Sequence, residues 1–374
     1  MASTASKSII QKLGNAVKEV ARSKGSSWWY TPHMAAASRA ISERIPLVDF
    51  VLEVRDARIP LSSEYSQLGR SLSSSRRIIV LNKIDLAKQS EMKEWTKYFG
   101  QQNSVSFRVN AHNTENIREF LNFLQARAKE LMKISHSSQT ITIMLVGIPN
   151  VGKSAIANSL HQIGRISAAE KGKLKHSAVS PQPGETKNII SLKIASHPNI
   201  YVLDTPGILP PEIPDDELCS KLALTGAIRD CIVGKMEIAR FFLSILNLSE
   251  EYNKWANFSA TENDRLFHCK GEFSENSHLD KRQKRQSATD HTQDFIVNDV
   301  RRTLFETVSS FNGNLKDGKD LAQLIEAELK MLQRAFHITE SNEDDHSKVA
   351  IKLLDLYRTG RLGHYILDTI PRSS

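Results

Sequence analysis

The 374-residue sequence has three cysteines, Cys219, Cys231 and Cys269, and no C-x-x-C pair. It therefore lacks the disulfide framework of a small secreted domain, and the pattern suits a reducing compartment. Glycine (17) and proline (12) are sparse, which excludes collagen-like and low-complexity chains. No apolar run approaches the ~20 residues of a membrane span, so any membrane association, such as with an organelle's inner membrane, is expected to be peripheral. Acids are outnumbered, 42 against 50 Lys and Arg, giving a net charge of +8 that permits a polyanionic partner without requiring one. With 40% hydrophobic and 25% charged residues, the chain has the composition of a globular protein. Its length suits two or three domains.

Residues 1–27 carry Lys7, Lys12, Lys18, Arg22 and Lys24 against one acid, Glu19. Ile9, Ile10, Leu13, Val17 and Val20 fall at helical spacing, giving one apolar stripe with cations beside it. Organelle transit segments have this pattern, and the helical stripe favours the mitochondrion. An ordinary first helix would look similar.

The most specific string is Gly147-Ile-Pro-Asn-Val-Gly-Lys-Ser154, which fits G-x-x-x-x-G-K-[ST] at every fixed position. An apolar run, Ile141–Val146, precedes it as a buried strand should, and Ala155–Leu160 opens a helix after it. Backbone N–H groups of such a loop close around phosphate oxygens, and the helix start adds its positive end. This assigns Asn150, Val151, Gly152, Lys153, Ser154 and Ala155 to phosphate binding, with Ser154 also a Mg²⁺ ligand. Downstream, Ile200–Leu203 predicts another strand, ending in Asp204-Thr-Pro-Gly207. Asp204 is placed to support magnesium and Gly207 to offer an N–H to a γ-phosphate. Thr186, in the loop Pro183-Gly-Glu-Thr-Lys187, is the candidate hydroxyl ligand to the same metal.

Arg77–Leu81 predicts a strand followed by Asn82-Lys-Ile-Asp85, an N-K-x-D string. Its aspartate can accept two hydrogen bonds from guanine that adenine does not offer. Asn82 would tie neighbouring loops, and the Lys83 stem would lie along the base. Ala111 and His112, after the predicted strand Val105–Asn110, complete the candidate guanine site. Beside the phosphate loop, these residues select GTP. In common GTPases the base-reading motif follows the phosphate loop, whereas here it precedes it. A sheet can be built from a chain cut elsewhere if the termini fall on the surface, so the order predicts a circular permutation.

Four stretches resemble the circularly permuted GTPases of the YlqF/RbgA type, which assist assembly of the large ribosomal subunit. They are Trp29-Tyr-Thr-Pro-His-Met34, Val54-Arg-Asp-Ala-Arg-Ile-Pro60 with its D-A-R signature, the reordered nucleotide motifs, and Asp355-Leu-Tyr-Arg-Thr-Gly-Arg-Leu-Gly363. The transit-like start is similar to that of the plant mitochondrial members. The resemblance implies a catalytic role for His33, although Pro32 stands where glycine is usual, and it implies that Asn150 ligates K⁺. Ordinary small GTPases have a water-orienting glutamine directly after D-x-x-G; this chain has Ile208, which cannot polarise water. Asp56, Ala57 and Arg58 allow two readings, an ion pair fixing the wall of the nucleotide site or direct contact with the ribosome.

From about Ser220 the apolar spacing is helical. Leu222, Leu224, Ile228, Ile232 and Val233 suggest one stripe, and Ile238, Phe241, Phe242, Ile245 and Leu246 another. Residues 257–294 are polar, contain Lys281-Arg-Gln-Lys-Arg285, and predict a disordered insertion. Helical periodicity resumes over 300–336 and 347–357. The expected organisation is a transit segment (1–27), an α/β circularly permuted P-loop GTPase domain (28–220) and an all-α domain (221–374) suited to RNA. Arg358 and Arg361 are candidate phosphate contacts, and a helix cap accounts equally well for Gly360 and Gly363. The expected function is a monomeric, Mg²⁺- and K⁺-dependent GTPase of the mitochondrial matrix, cycling between GTP and GDP. Its expected partner is the mitochondrial large ribosomal subunit and its rRNA. A switch or scaffold acting on a protein effector is the alternative.

Overall fold

The computed structural model describes residues 29–68, 72, 74–135, 140–167, 188–213, 215–249, 251–256, 291–338 and 345–371. The expected transit segment (1–27), Thr186 with its loop, and 257–290 of the polar insertion lie outside the described residues.

The chain forms two compact units. The first holds the described residues up to Gly234 together with those from His364 onward. It is built on a six-stranded sheet in the order β3-β2-β1-β4-β6-β5. The strands are β1 (Phe50–Asp56), β2 (Arg77–Asn82), β3 (Val105–Arg108), β4 (Thr140–Val146), β5 (Ile190–Ser196) and β6 (Asn199–Asp204). All neighbours are parallel except β5, which runs antiparallel to β6 at the edge. Helices α1 (Pro32–Arg44), α2 (Gln89–Gln101), α3 (Thr114–Ser135) and α4 (Lys153–Ser167) belong to this unit, as do α5 (Asp216–Leu224) and the short α6 (Asp230–Val233). This is the mostly parallel α/β architecture the motif order predicts.

β1 is buried at every position, as a central parallel strand requires. Its charged members are accommodated by pairing. Glu53 Oε1 lies 2.9 Å from Arg55 Nε, and Glu53 Oε2 accepts from Arg77 Nε at 2.6 Å. The sequence Leu47-Val-Asp-Phe-Val-Leu-Glu-Val54 is an apolar run suited to a strand, but β1 starts only at Phe50, because Ile45–Leu47, with Pro46 inside it, turns as a 3₁₀ segment. Trp95, Met92 and Phe99 of α2 pack with Ile79 and Leu81 of β2, burying the face beside the base-reading motif.

The second unit holds α7 (Lys235–Ser249), α8 (His291–Ser309), α9 (Gly318–Ala335) and α10 (Asp345–Arg358). It begins after Gly234, beyond the expected boundary at 220. The difference is α5 and α6, whose apolar residues Leu222, Leu224, Ile232 and Val233 are buried in the first unit. Those residues do not form one helix, since Gly226 turns the chain at φ 82 between them. The periodicity over 300–336 likewise divides into α8 and α9. Asp317 caps α9 by accepting from the N–H groups of Lys319 and Asp320.

A carboxyl is buried in the helical unit: Glu328 is wholly inaccessible and accepts from Asn247 Nδ2 at 2.9 Å. Burial pushes its pKa up to about 8, against the opposing Asn247 hydrogen bond. Between its ordinary value of 4.5 and about 8, the folded state therefore keeps a proton that the unfolded state releases. Stability should fall as pH rises through that window and level off above it. Glu328→Gln should flatten this slope and, at pH 8, raise stability by on the order of 1 kcal/mol or more, as read by denaturant melts across pH.

Candidate nucleotide-binding site

The loops singled out by sequence leave the carboxyl ends of neighbouring parallel strands, where open α/β sheets bind ligands. Ala111 and His112 follow β3, Asn82–Asp85 end β2, and Asp56–Arg58 end β1. The phosphate loop follows β4, and Asp204–Gly207 ends β6. The sheet thus sets base-reading residues on one side of β1 and phosphate-binding residues on the other.

Asn82 is buried and joins three loops. Its Nδ2 donates to Val151 O of the phosphate loop at 2.8 Å, and its Oδ1 accepts from Ala111 N at 3.2 Å. Ser159 Oγ donates to Ala111 O at 2.8 Å and holds the same loop from α4. His112 is exposed, and its N–H donates to Asn110 Oδ1. The approach of Asn82 explains Gly152: a Cβ there would stand 2.2 Å from Asn82 Nδ2, in a backbone at φ 95. Asp85 is exposed in the 3₁₀ turn Ile84–Leu86.

Lys83 adopts the left-handed conformation, φ 61 and ψ 39, and its ammonium lies 2.9 Å from Asp56 Oδ2. Asp56 also binds Arg58, through Nε at 3.0 Å and NH2 at 2.8 Å. Asp56 and Arg58 are each only 2% exposed. Of the two readings of D-A-R, the ion pair is the one observed, and buried side chains have no surface to offer a ribosome. Burial alone would push the Asp56 carboxyl up. Arg58 and Lys83 outweigh it and hold the group well below the usual carboxylate range. The same burial lowers the Lys83 amine, with Asp56 opposing.

On the phosphate side, Lys153 is buried and its Nζ donates to Gly147 O at 3.0 Å and Ile148 O at 2.8 Å. Burial brings its pKa down to about 8, opposed by Asp204. Ser154 Oγ donates to Asp204 Oδ2 at 2.7 Å, so a hydroxyl and a buried carboxylate share one spot. Among the described residues there is no group of three or more His, Cys, Asp or Glu able to hold a metal. A Ser–Asp pair still fits Mg²⁺, which takes few protein ligands and completes its shell with phosphate and water. Asn150, at φ 59, donates from Nδ2 to Gly226 O at 2.7 Å, beyond α5. Gly207 is fixed by close approach, since a Cβ would lie 2.5 Å from Pro149 Cα.

Ile208 is 1% exposed and belongs to a cluster with Ile41, Tyr65 and Met144, against which Tyr30 and Met34 pack. Trp29 Nε1 donates to Pro210 O at 3.1 Å. The histidine-bearing segment is therefore tied to the loop that follows Gly207. His33 lies exposed in the first turn of α1, where Thr31 caps the helix by accepting from Met34 N. Pro32 is the first helical residue, where a fixed φ and missing N–H cost nothing.

Sequence reasoning missed Trp29–Pro210, Asn150–Gly226 and the Lys83–Asp56 pair. An aspartate and a lysine at the ends of adjacent strands were visible, but their registry, Asp56 opposite Asn82, was not.

The family described as 50S ribosome-binding GTPase matches residues 142–259, from β4 onward and therefore without Asn82–Asp85. "DAR GTPase 2, mitochondrial" of Arabidopsis thaliana is 56% identical over 99% of this chain and 97% of its own length. "Short integuments 2, mitochondrial" of the same plant is 40% identical over 94% of this chain and 92% of its own. "Ribosome biogenesis GTPase A" of Bacillus cereus is 32% identical over 60% of this chain and 75% of its own. Among solved structures, GDP-bound YlqF aligns with 88% of this chain and 98% of its own at 19% identity and a TM-score of 0.45, too weak to bear on the site. With 56% identity over 99% of the chain to a D-A-R GTPase added to a base-reading loop that precedes its phosphate loop, the chain belongs to the circularly permuted GTPases of the YlqF/RbgA type, and it hydrolyses GTP.

Proposed function

We propose that this chain is an assembly factor for the mitochondrial large ribosomal subunit, acting in the matrix as a monomer and docking on rRNA while GTP is bound. The observation that carries the reading is 56% identity, over 99% of the chain, to a relative named as a mitochondrial D-A-R GTPase. More distant relatives named for ribosome biogenesis and for association with the mitochondrial ribosome support it, as does a net charge of +8.

In this reading Asp85 accepts from guanine, Asn82 and the Ala111–His112 loop close around the base, and the Lys83 stem lies along it. The N–H groups of residues 150–155 and Lys153 hold the β- and γ-phosphates, and Gly207 N–H meets the γ-phosphate. Ser154 and Asp204, with Thr186, would hold Mg²⁺, which would supply positive charge against the phosphates during transfer. A potassium ion carried by Asn150 would use its carboxamide oxygen, because Nδ2 is committed to Gly226. Ile208 cannot orient water and instead anchors Tyr30 and Met34. His33, one residue before Met34, takes over that task.

Two measurements test this. Asp85→Asn should weaken GTP at least tenfold and favour xanthosine triphosphate, since an amide presents a donor where the carboxylate accepted. Unchanged GTP affinity would remove the base-reading assignment. Binding of the GTP-loaded protein to mitochondrial large subunits should fall at least tenfold between 50 and 200 mM salt, as phosphate contacts require. Salt-insensitive binding would point instead to a protein effector.

A further inference from the structure

The chain's final described residues, after the helical unit ends at Gly363, belong to the nucleotide-binding unit. Termini of domains are usually loosely held unless something ties them down. Here the ties are numerous. Ile366 and Ile370 pack against the cluster of Ala57, Leu81, Trp95 and Phe99. Leu367 N–H donates to Arg58 O at 2.7 Å. Asp368 is 7% exposed and engages four donors. Its Oδ2 accepts from the N–H groups of Leu61 and Ser62, both at 2.8 Å. Its Oδ1 accepts from Ser62 Oγ at 2.6 Å and from Lys221 Nζ at 3.2 Å.

The segment therefore grips the loop that carries D-A-R. That loop fixes Asp56, whose own N–H is held by Ser63 Oγ at 3.0 Å. Asp56 in turn holds Lys83, the lysine of N-K-x-D, in a left-handed backbone that a side chain adopts only when its surroundings enforce it. A path of hydrogen bonds and ion pairs, linked through the main chain from Ser62 to Ser63, runs from residue 368 to the base-reading loop. Both covalent links to the helical unit reach this point. One is the segment itself, entered at Gly363 (φ 111). The other leaves at Gly234 (φ 94), downstream of α5, whose Lys221 binds the same Asp368 carboxylate.

We propose that residues 364–371 form a strap that holds the guanine-reading loop through D-A-R, with Asp368 as the positioning residue. This rests on the reading of Asn82–Asp85 as the guanine site. A strap that is also the main-chain exit of the helical unit transmits force on that unit to the base loop, and so gives a bound partner a route to nucleotide release.

The test is stopped-flow release of fluorescent GDP, with steady-state GTP kinetics, on the full chain carrying Asp368→Ala. GDP release should accelerate about tenfold and the KM for GTP should rise by a similar factor, while kcat at saturating GTP changes less than about twofold. Amide exchange over 81–85 should quicken with it. Asp368→Asn, which keeps an acceptor but loses the charge facing Lys221, should fall between. A merely structural role would lower the melting temperature and leave release and KM untouched; that outcome in a folded Asp368→Ala overturns the proposal. If that variant does not fold, Ser62→Ala, which deletes one donor, decides. About threefold faster release supports the strap and native release overturns it. Asp85→Asn separates the two ideas. If it leaves GTP affinity intact, the base reading fails and the strap falls with it. If it weakens GTP while Asp368→Ala and Ser62→Ala release at the native rate, the strap alone fails.

Discussion

The carboxylate of Asp56, at the end of the central strand, holds Arg58 and Lys83 at the same time while almost fully buried. Charges taken out of water are costly unless they are paired and hydrogen-bonded. This group is satisfied from both sides, which is why its proton is held so weakly. The guanidinium closes the loop beyond β1, and the ammonium fixes the first residue after Asn82. Removing either cation would leave the buried carboxylate with one partner in place of two, where the base and phosphate halves of the site adjoin. The geometry of the nucleotide site thus depends on an interaction among residues that need not touch the nucleotide.

That arrangement also explains why reordering the chain does no harm. The loops that bind a nucleotide belong to the carboxyl ends of strands, and strand order in space is β3-β2-β1-β4-β6 whichever strand comes first in sequence. β1 lies between the base-reading strand and the phosphate strand, so its D-A-R loop faces both. The permutation changes what the site is attached to. The D-T-P-G segment leads through α5 and α6 to the helical unit, and the helical unit returns to D-A-R.

The nucleotide motifs could be read from sequence because phosphate and guanine restrict residue type and spacing. Asn82 was expected to tie loops and does so through both ends of its amide. Strands β1, β2, β4 and β6 were visible as apolar runs, although β1 began later than its run because Pro46 enforces a turn. The antiparallel β5 was overlooked although Ile190, Leu192 and Ile194 alternate with Ser191 and Lys193, and the break between α8 and α9 was overlooked although Asn312-Gly313-Asn314 marks a turn. Asp368 left no signal at all. It binds backbone N–H groups more than 300 residues away, and backbone donors carry no side-chain signature. Pro32, which stands where glycine is usual, takes the first position of α1.

The function proposed above has a ribosomal partner govern this GTPase, with Ile208 committed to packing and His33 in place of the usual glutamine. Its most direct test is GTP turnover by residues 28–374 in potassium buffer, with and without mitochondrial large ribosomal subunits. Basal turnover should be slow and stimulated by the subunits at least tenfold, with the stimulation abolished in His33→Ala. Turnover indifferent to the subunits would contradict the proposed function.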